Sequence, residues 1–171
     1  MIELVAKSPA EGLLPKTIGT LTLSEVTPTI HSIAPLKGAR LKDFPDVGKS
    51  APYKGGTLIW SARGQYMLLD APTPKIKAAI TDQSDAWTSV TLTGDRAQAL
   101  LARLCPLDTA KMAPGDVARS LIGHMSAIII RQDAGFQIMV FRAFARTLVH
   151  EMTDAMTALA ARQNIPDTSG L

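Results

Sequence analysis

Between Trp87 and Met156 the hydrophobic pattern changes period four times, and that order leaves few folds open. It reads strand, helix, loop, two strands, helix. In "WTSVTLT" Val90 and Leu92 point one way while Thr91 and Thr93 point the other, the alternation of a half-buried strand. Gly94 breaks the run, and Asp95 is placed to cap the next element, because its side-chain oxygen can accept from free helix N–H groups. "RAQALLARL" then puts Ala97, Leu100, Leu101 and Leu104 on one helical stripe, with Arg96, Gln98 and Arg103 facing water. Pro106 ends it by pushing the preceding residue out of helical geometry.

After a loop with a turn at Pro114–Gly115, residues 117–142 predict two antiparallel strands joined at Asp133–Ala134–Gly135. Ile128, Ile129 and Ile130 are consecutive and β-branched, which suits a central strand covered on both faces. The longest helix is expected at about 143–162. Its stripe comprises Phe144, Leu148, Met152, Ala155, Met156 and Leu159.

Upstream, "TIGTLTLSEV" and "PTIHSIAP" are strand-like, and "TLIWSARGQYMLLD" reads as a hairpin turning at Ala62–Arg63–Gly64. "LKGARLKDF" and "TPKIKAAITD" predict short helices, with "PDVGKSAPYKGG" as a loop. Each half then reads strand, helix, loop, hairpin, helix. The expectation is an α+β fold, antiparallel sheet with packed helices, pseudo-duplicated in a ferredoxin-like way; one larger mixed sheet fits the same order. An N-terminal arm at residues 1–16 would precede a single domain at 17–165, with pseudo-repeats at about 17–82 and 83–165.

Composition narrows the function classes. Hydrophobic residues make up 46% and charged residues 19%, a chain that buries a core rather than one that stays disordered. The net charge of +3 is dispersed, so nucleic-acid or membrane binding gains little. No apolar run reaches the ~18 residues of a membrane span, and the start lacks a signal-peptide core, so the reading is cytoplasmic. A lone cysteine, Cys105, excludes an internal disulfide framework and a multi-cysteine zinc site.

Nothing assembles a catalytic constellation. His150–Glu151 lacks the second histidine four residues on that a zinc peptidase helix needs; position 154 is Asp. His31 is isolated, and His124 sits in a strand region. Asp82, Asp85, Asp95 and Asp108 flank the central strand and helix, where turn and cap aspartates are expected without activity. Gly55–Gly56 and Gly64 lack the strand–loop–helix context of a phosphate loop. No catalytic, cofactor-binding or metal-binding residue is assigned. Arg119, Arg131, Arg142 and Arg146 could share a surface that takes a partner's carboxylates, or form an ordinary solvated face.

At "DQSDAWTSVTLTGDRAQALLARLCPLD", "PGDVARSLIGHMSAIII" and "FRAFARTLVHEMTDAM" the chain resembles the sarcosine oxidase gamma subunit family, of heterotetrameric sarcosine oxidase. Leu-Cys-Pro-Leu-Asp at 104–108, Gly-Asp-Val-Ala-Arg at 115–119 and Phe-Arg-Ala-Phe-Ala at 141–145 carry most of the likeness, which spans roughly 20–162 and includes "GGTLIWSARGQYMLL". The element order is also similar to the folate-binding domain of the glycine cleavage aminomethyltransferase. The resemblance implies a noncatalytic subunit of a bacterial complex with alpha, beta and delta partners. That complex demethylates sarcosine oxidatively, forms hydrogen peroxide and passes the one-carbon unit to tetrahydrofolate. The resemblance places FAD, FMN, NAD and folate in the large subunits and zinc in delta, so no cofactor is carried over to this chain. A related N-methylglutamate dehydrogenase complex leaves the amine open. By sequence order Asp82 or Asp95 could stand for the folate-site aspartate of aminomethyltransferases. A stand-alone folate-binding domain and a homo-oligomeric interaction module are the alternatives.

Overall fold

A computed structural model describes residues 5–40 and 42–163. Its α+β fold is built on two antiparallel sheets. The first takes β1 (Lys16–Ile18), β2 (Leu21–Val26), β8 (Trp87–Thr93), β11 (Gly135–Phe141), β10 (Met125–Gln132) and β9 (Val117–Ile122), in that spatial order. The second takes β4 (Ser50–Tyr53), β5 (Gly56–Ala62), β6 (Gln65–Leu69), β3 (Ile30–Pro35) and β7 (Ala78–Asp82). Helices α1 (Ala97–Leu104) and α2 (Ala145–Gln163) complete the elements, with short 3-10 turns between.

Alternation decides the layers. On the first sheet Val90, Leu92, Ala127, Ile129, Phe136, Ile138 and Val140 face the helices, where they meet Leu100, Leu101, Leu148, Met152 and Met156. The intervening residues Trp87, Val117, Ile128, Ile130 and Met139 face the second sheet and meet its Ile30, Ile59, Met67 and Leu69. The outer face of the second sheet holds a smaller cluster of Ile33, Leu58, Leu68 and Ala71 with Phe44 and Tyr66 packed on it. Ile128, Ile129 and Ile130 are all buried, as expected of a strand covered on both faces.

Several expectations are corrected. "TPKIKAAITD" is not a helix: its second half is β7, paired along its length with β3. The described residues of "LKGARLKDF" form turns without a helix; Leu41 lies outside the described residues. "PDVGKSAPYKGG" contains β4. Both α-helices among the described residues therefore belong to the second half, so the strand–helix–loop–hairpin–helix order expected of the first half is not seen there. Residues 117–141 form three strands, because the chain also turns at Gly123–His124. Asp95 does not cap α1: the N-cap position is Arg96, and no side chain bonds there. Phe144 sits in a 3-10 turn ahead of α2 and is 40% exposed, outside the buried stripe that Leu148, Met152, Ala155, Met156 and Leu159 complete.

Candidate functional site

The conspicuous surface feature forms where β8 begins and β11 ends. Trp87 and Phe141 are register partners across these two strands. Their rings stack with centroids 4.6 Å apart at 28°. Such a pair contributes about 0.5–1.5 kcal/mol beyond the area it buries. The row continues across the sheet. Ala127 of β10 pairs with Val140 of β11, and Ser126 pairs with Leu121 of β9, so Trp87, Phe141, Ser126 and Leu121 lie side by side on the face turned to the second sheet. The second sheet covers only part of this row. Trp87 is buried, whereas Phe141 is 42% and Leu121 45% exposed.

Trp87 is the wall between two clefts. One, of about 260 Å³, opens between the sheets and is lined by Ser61, Gln65, Gln83, Arg119 and Phe141 among others. The other, of about 290 Å³, lies toward the N-terminal segment and includes Lys7, Ser84, Asp85 and Arg142. The Arg119 guanidinium stands 6.0 Å from the Trp87 ring centroid, and its Nη2 reaches Ser126 Oγ at 3.5 Å. The Trp87 indole N–H donates to Gln83 Oε1 at 3.3 Å. Arg142 lies on the other flank: it donates to the Lys7 carbonyl at 2.5 Å and stands 3.8 Å from the fully exposed Asp85 carboxylate.

The arginines do not form one set. Arg119 and Arg142 flank Trp87. Arg131 lies toward the far end of β10, on the opposite face, 4.8 Å over the Phe136 ring and bonded to the Gly135 carbonyl. Arg146 is exposed near the start of α2.

The candidate acid–base groups are also dispersed. Asp82 and Asp95 stand beyond opposite ends of β8. Asp82 accepts from the Ser84 backbone N–H and hydroxyl, which hold its carboxyl below the usual range. Asp108 pairs with Lys111 at 2.9 Å; their hydrogen bond lowers the carboxyl and raises the ammonium. His31 lies opposite Asp82 across the β3–β7 pair, His124 is exposed in a turn rather than within a strand, and His150 is exposed 3.4 Å from Asp154. Cys105 is buried, its thiol 3.7 Å from Ser120 Oγ. Gly55 and Gly64 occupy hairpin turns and Gly56 opens β5. No three metal-ligating side chains converge among the described residues, and none of their helices is long and apolar enough to cross a membrane.

The described part of the N-terminal segment is fastened to its own domain. Ser8 Oγ and the Ala10 N–H both donate to the Glu25 carboxylate, at 2.7 and 2.8 Å, and Ala10 is fully buried.

No family model matches this chain, and no curated protein does. Among solved structures, a chain of the heterotetrameric sarcosine oxidase from Corynebacterium sp. U-96, in complex with pyrrole 2-carboxylate, is similar at a TM-score of 0.75. The match covers 91% of this chain and 96% of that one, at 18% identity. The two chains share one fold.

The sequence pointed to two of the three elements of the Trp87 surface. Arg119 and Arg142 stand out in a scan for charge. The stack of Trp87 on Phe141 needs the β8–β11 register, which joins residues 54 positions apart. The available signal was two large aromatics, each at the end of a strand.

Proposed function

We propose that this chain is a noncatalytic subunit of a heterotetrameric, sarcosine-oxidase-type complex, and the counterpart of its gamma subunit. The observation that carries this reading is the fold match, nearly complete on both sides, to a chain of such a heterotetramer. The ledge where the exposed Phe141 stacks on the buried Trp87 agrees with it: aromatic and arginine side chains are the groups that protein interfaces favour. In this reading alpha-, beta- and delta-type chains are the partners. FAD, FMN, NAD and the tetrahydrofolate chemistry reside in those chains. This one binds no cofactor, shapes the assembly and works in the cytoplasm.

The test is co-expression with the chains encoded beside it, pull-down on a tag at Leu171, and mass spectrometry. Three co-purifying chains, flavin absorbance and sarcosine-dependent peroxide are the expected result. A chain that purifies alone overturns the reading. A tetrahydrofolate titration then separates an autonomous folate-binding domain from a self-associating module.

A further inference from the structure

The geometry points to the Trp87–Phe141 ledge as the seat of an acidic, apolar-anchored segment of a partner chain, and we propose it as such. This rests on the subunit reading above and adds to it which surface is used and what chemistry it recognises.

Three observations support it. The row Trp87, Phe141, Ser126, Leu121 belongs to a sheet face that elsewhere is packed against the second sheet. At this end the packing stops, and Phe141 and Leu121 are left two-fifths or more exposed. An apolar residue seated on them would bury Phe141 on its open side while the Trp87 stack holds it in place from the other. A rigid aromatic that loses little freedom on burial is the kind of side chain that dominates interface energies.

Charge names the occupant. Of the four charged side chains lining the two clefts, Lys7, Arg119 and Arg142 are cationic and Asp85 alone is anionic. Among the described residues no carboxylate pairs with Arg119, whose guanidinium is held by a ring face and a serine hydroxyl. Arg142 is fixed by the Lys7 carbonyl, with the fully exposed Asp85 at 3.8 Å as its partner. Two oriented guanidiniums on either side of an aromatic wall suit carboxylates on a segment seated along the ledge, because the planar fork matches a carboxylate in two-point contact. A phosphate backbone fits less well. The chain carries a net charge of only +3, and Asp85 stands beside Arg142 in the same cleft, where it would repel a phosphate.

The experiment uses the co-expressed complex. The wild-type chain is compared with Arg119→Glu/Arg142→Glu, with Phe141→Ser, and with Arg103→Glu on α1 as control. Melting temperatures of the isolated chains are recorded in parallel. Recovery of the partner chains should fall at least about tenfold for the charge reversal and for Phe141→Ser, while Arg103→Glu stays at the wild-type level. Raising ionic strength should speed dissociation of the wild-type complex. Arg142 also holds the N-terminal segment, so Arg119→Glu alone is the informative variant if the double variant melts early. Wild-type recovery with all variants unchanged overturns the ledge and leaves the subunit reading standing. No wild-type recovery overturns both. Binding of a fluorescent poly-dT oligonucleotide that the charge reversal abolishes would make the surface a nucleic-acid site and also overturn the proposal.

Discussion

Lys49 and Asp116 join the two sheets through both side chain and backbone. The ammonium lies 2.5 Å from the carboxylate, and the same two residues, each just ahead of its strand, form an isolated antiparallel bridge between the entries to β4 and β9. The Val117 N–H donates to the Gly48 carbonyl and the Ser50 N–H to the Gly115 carbonyl, at 2.8 Å each. The Lys49 hydrogen bond first, and then that of the Ala113 N–H, holds the Asp116 carboxyl below the ordinary aspartate range. A carboxyl whose folded value is depressed adds stability above its unfolded value near 3.9 and loses it as pH falls through the folded value. Asp116→Asn should therefore lower the urea midpoint by a constant amount from about pH 5 to 8, and the gap to wild type should close below about pH 4. A gap that persists at low pH would assign the effect to shape rather than charge.

Leu148 is fully buried between α2 and the first sheet, while Phe144, one turn earlier, is 40% exposed. Leu148→Ala should cost about 2–5 kcal/mol in the isolated chain, the transfer term plus the cavity it leaves. Phe144→Ala should stay within about 0.5 kcal/mol, as surface substitutions do. Chemical denaturation of both variants checks this. Equal losses would mean that the 3-10 turn before α2 packs more tightly than its exposure indicates.

How much of the fold is legible in the chain depends on how strongly each segment commits locally. β8, α1 and α2 each carry one clean period and stand within two residues of their expected places, whereas the triple-isoleucine strand, expected to run from Val117, begins only at Met125. "PKIKAAITD" commits to neither. Its alanines and lysines favour a helix, but β3 offers five paired positions to residues 78–82, and long-range pairing wins. The turn at Gly123–His124 lacks the Asn-Gly or Asp-Gly signal of a tight hairpin, and its glycine is set by a positive φ of 56° that the sequence alone does not reveal. The pseudo-repeat rested on helices at "LKGARLKDF" and "TPKIKAAITD", and the described residues of neither form one. The candidate surface was half legible: charge can be read along a chain, but an aromatic stack made by strand register cannot.

Two glycines separate backbone freedom from close approach. Gly64, in the β5–β6 turn, has φ +67° and open space where a Cβ would stand. Gly135 opens β11, and a Cβ there would lie 2.1 Å from the Leu92 carbonyl oxygen on the neighbouring strand. Gly64→Ala should therefore cost roughly 1–2 kcal/mol of conformational strain. Gly135→Ala has to part β11 from β8, and its cost should exceed about 4 kcal/mol, the rare end of single substitutions. Thermal melts of the two variants order them, and a Gly135→Ala chain as stable as Gly64→Ala would show that the two central strands can shift apart cheaply.

Between the sheets, Gln137 is 8% exposed and completes a short polar relay. Its Nε2 donates to Ser89 Oγ at 2.9 Å, and its Oε1 accepts from Gln132 Nε2 at 3.0 Å. Ser89→Ala keeps the amide buried but removes its acceptor, and an orphaned buried donor costs about 1–3 kcal/mol. Gln137→Met removes the amide instead, at nearly conserved volume, and leaves the half-exposed Gln132 to water. The double variant Ser89→Ala/Gln137→Met should then be more stable than the sum of the single losses predicts, by roughly 0.5–3 kcal/mol of coupling. A double-mutant cycle in urea measures that term directly. Strict additivity would mean that water reaches Gln137 between the sheets and that the relay does not hold them in register.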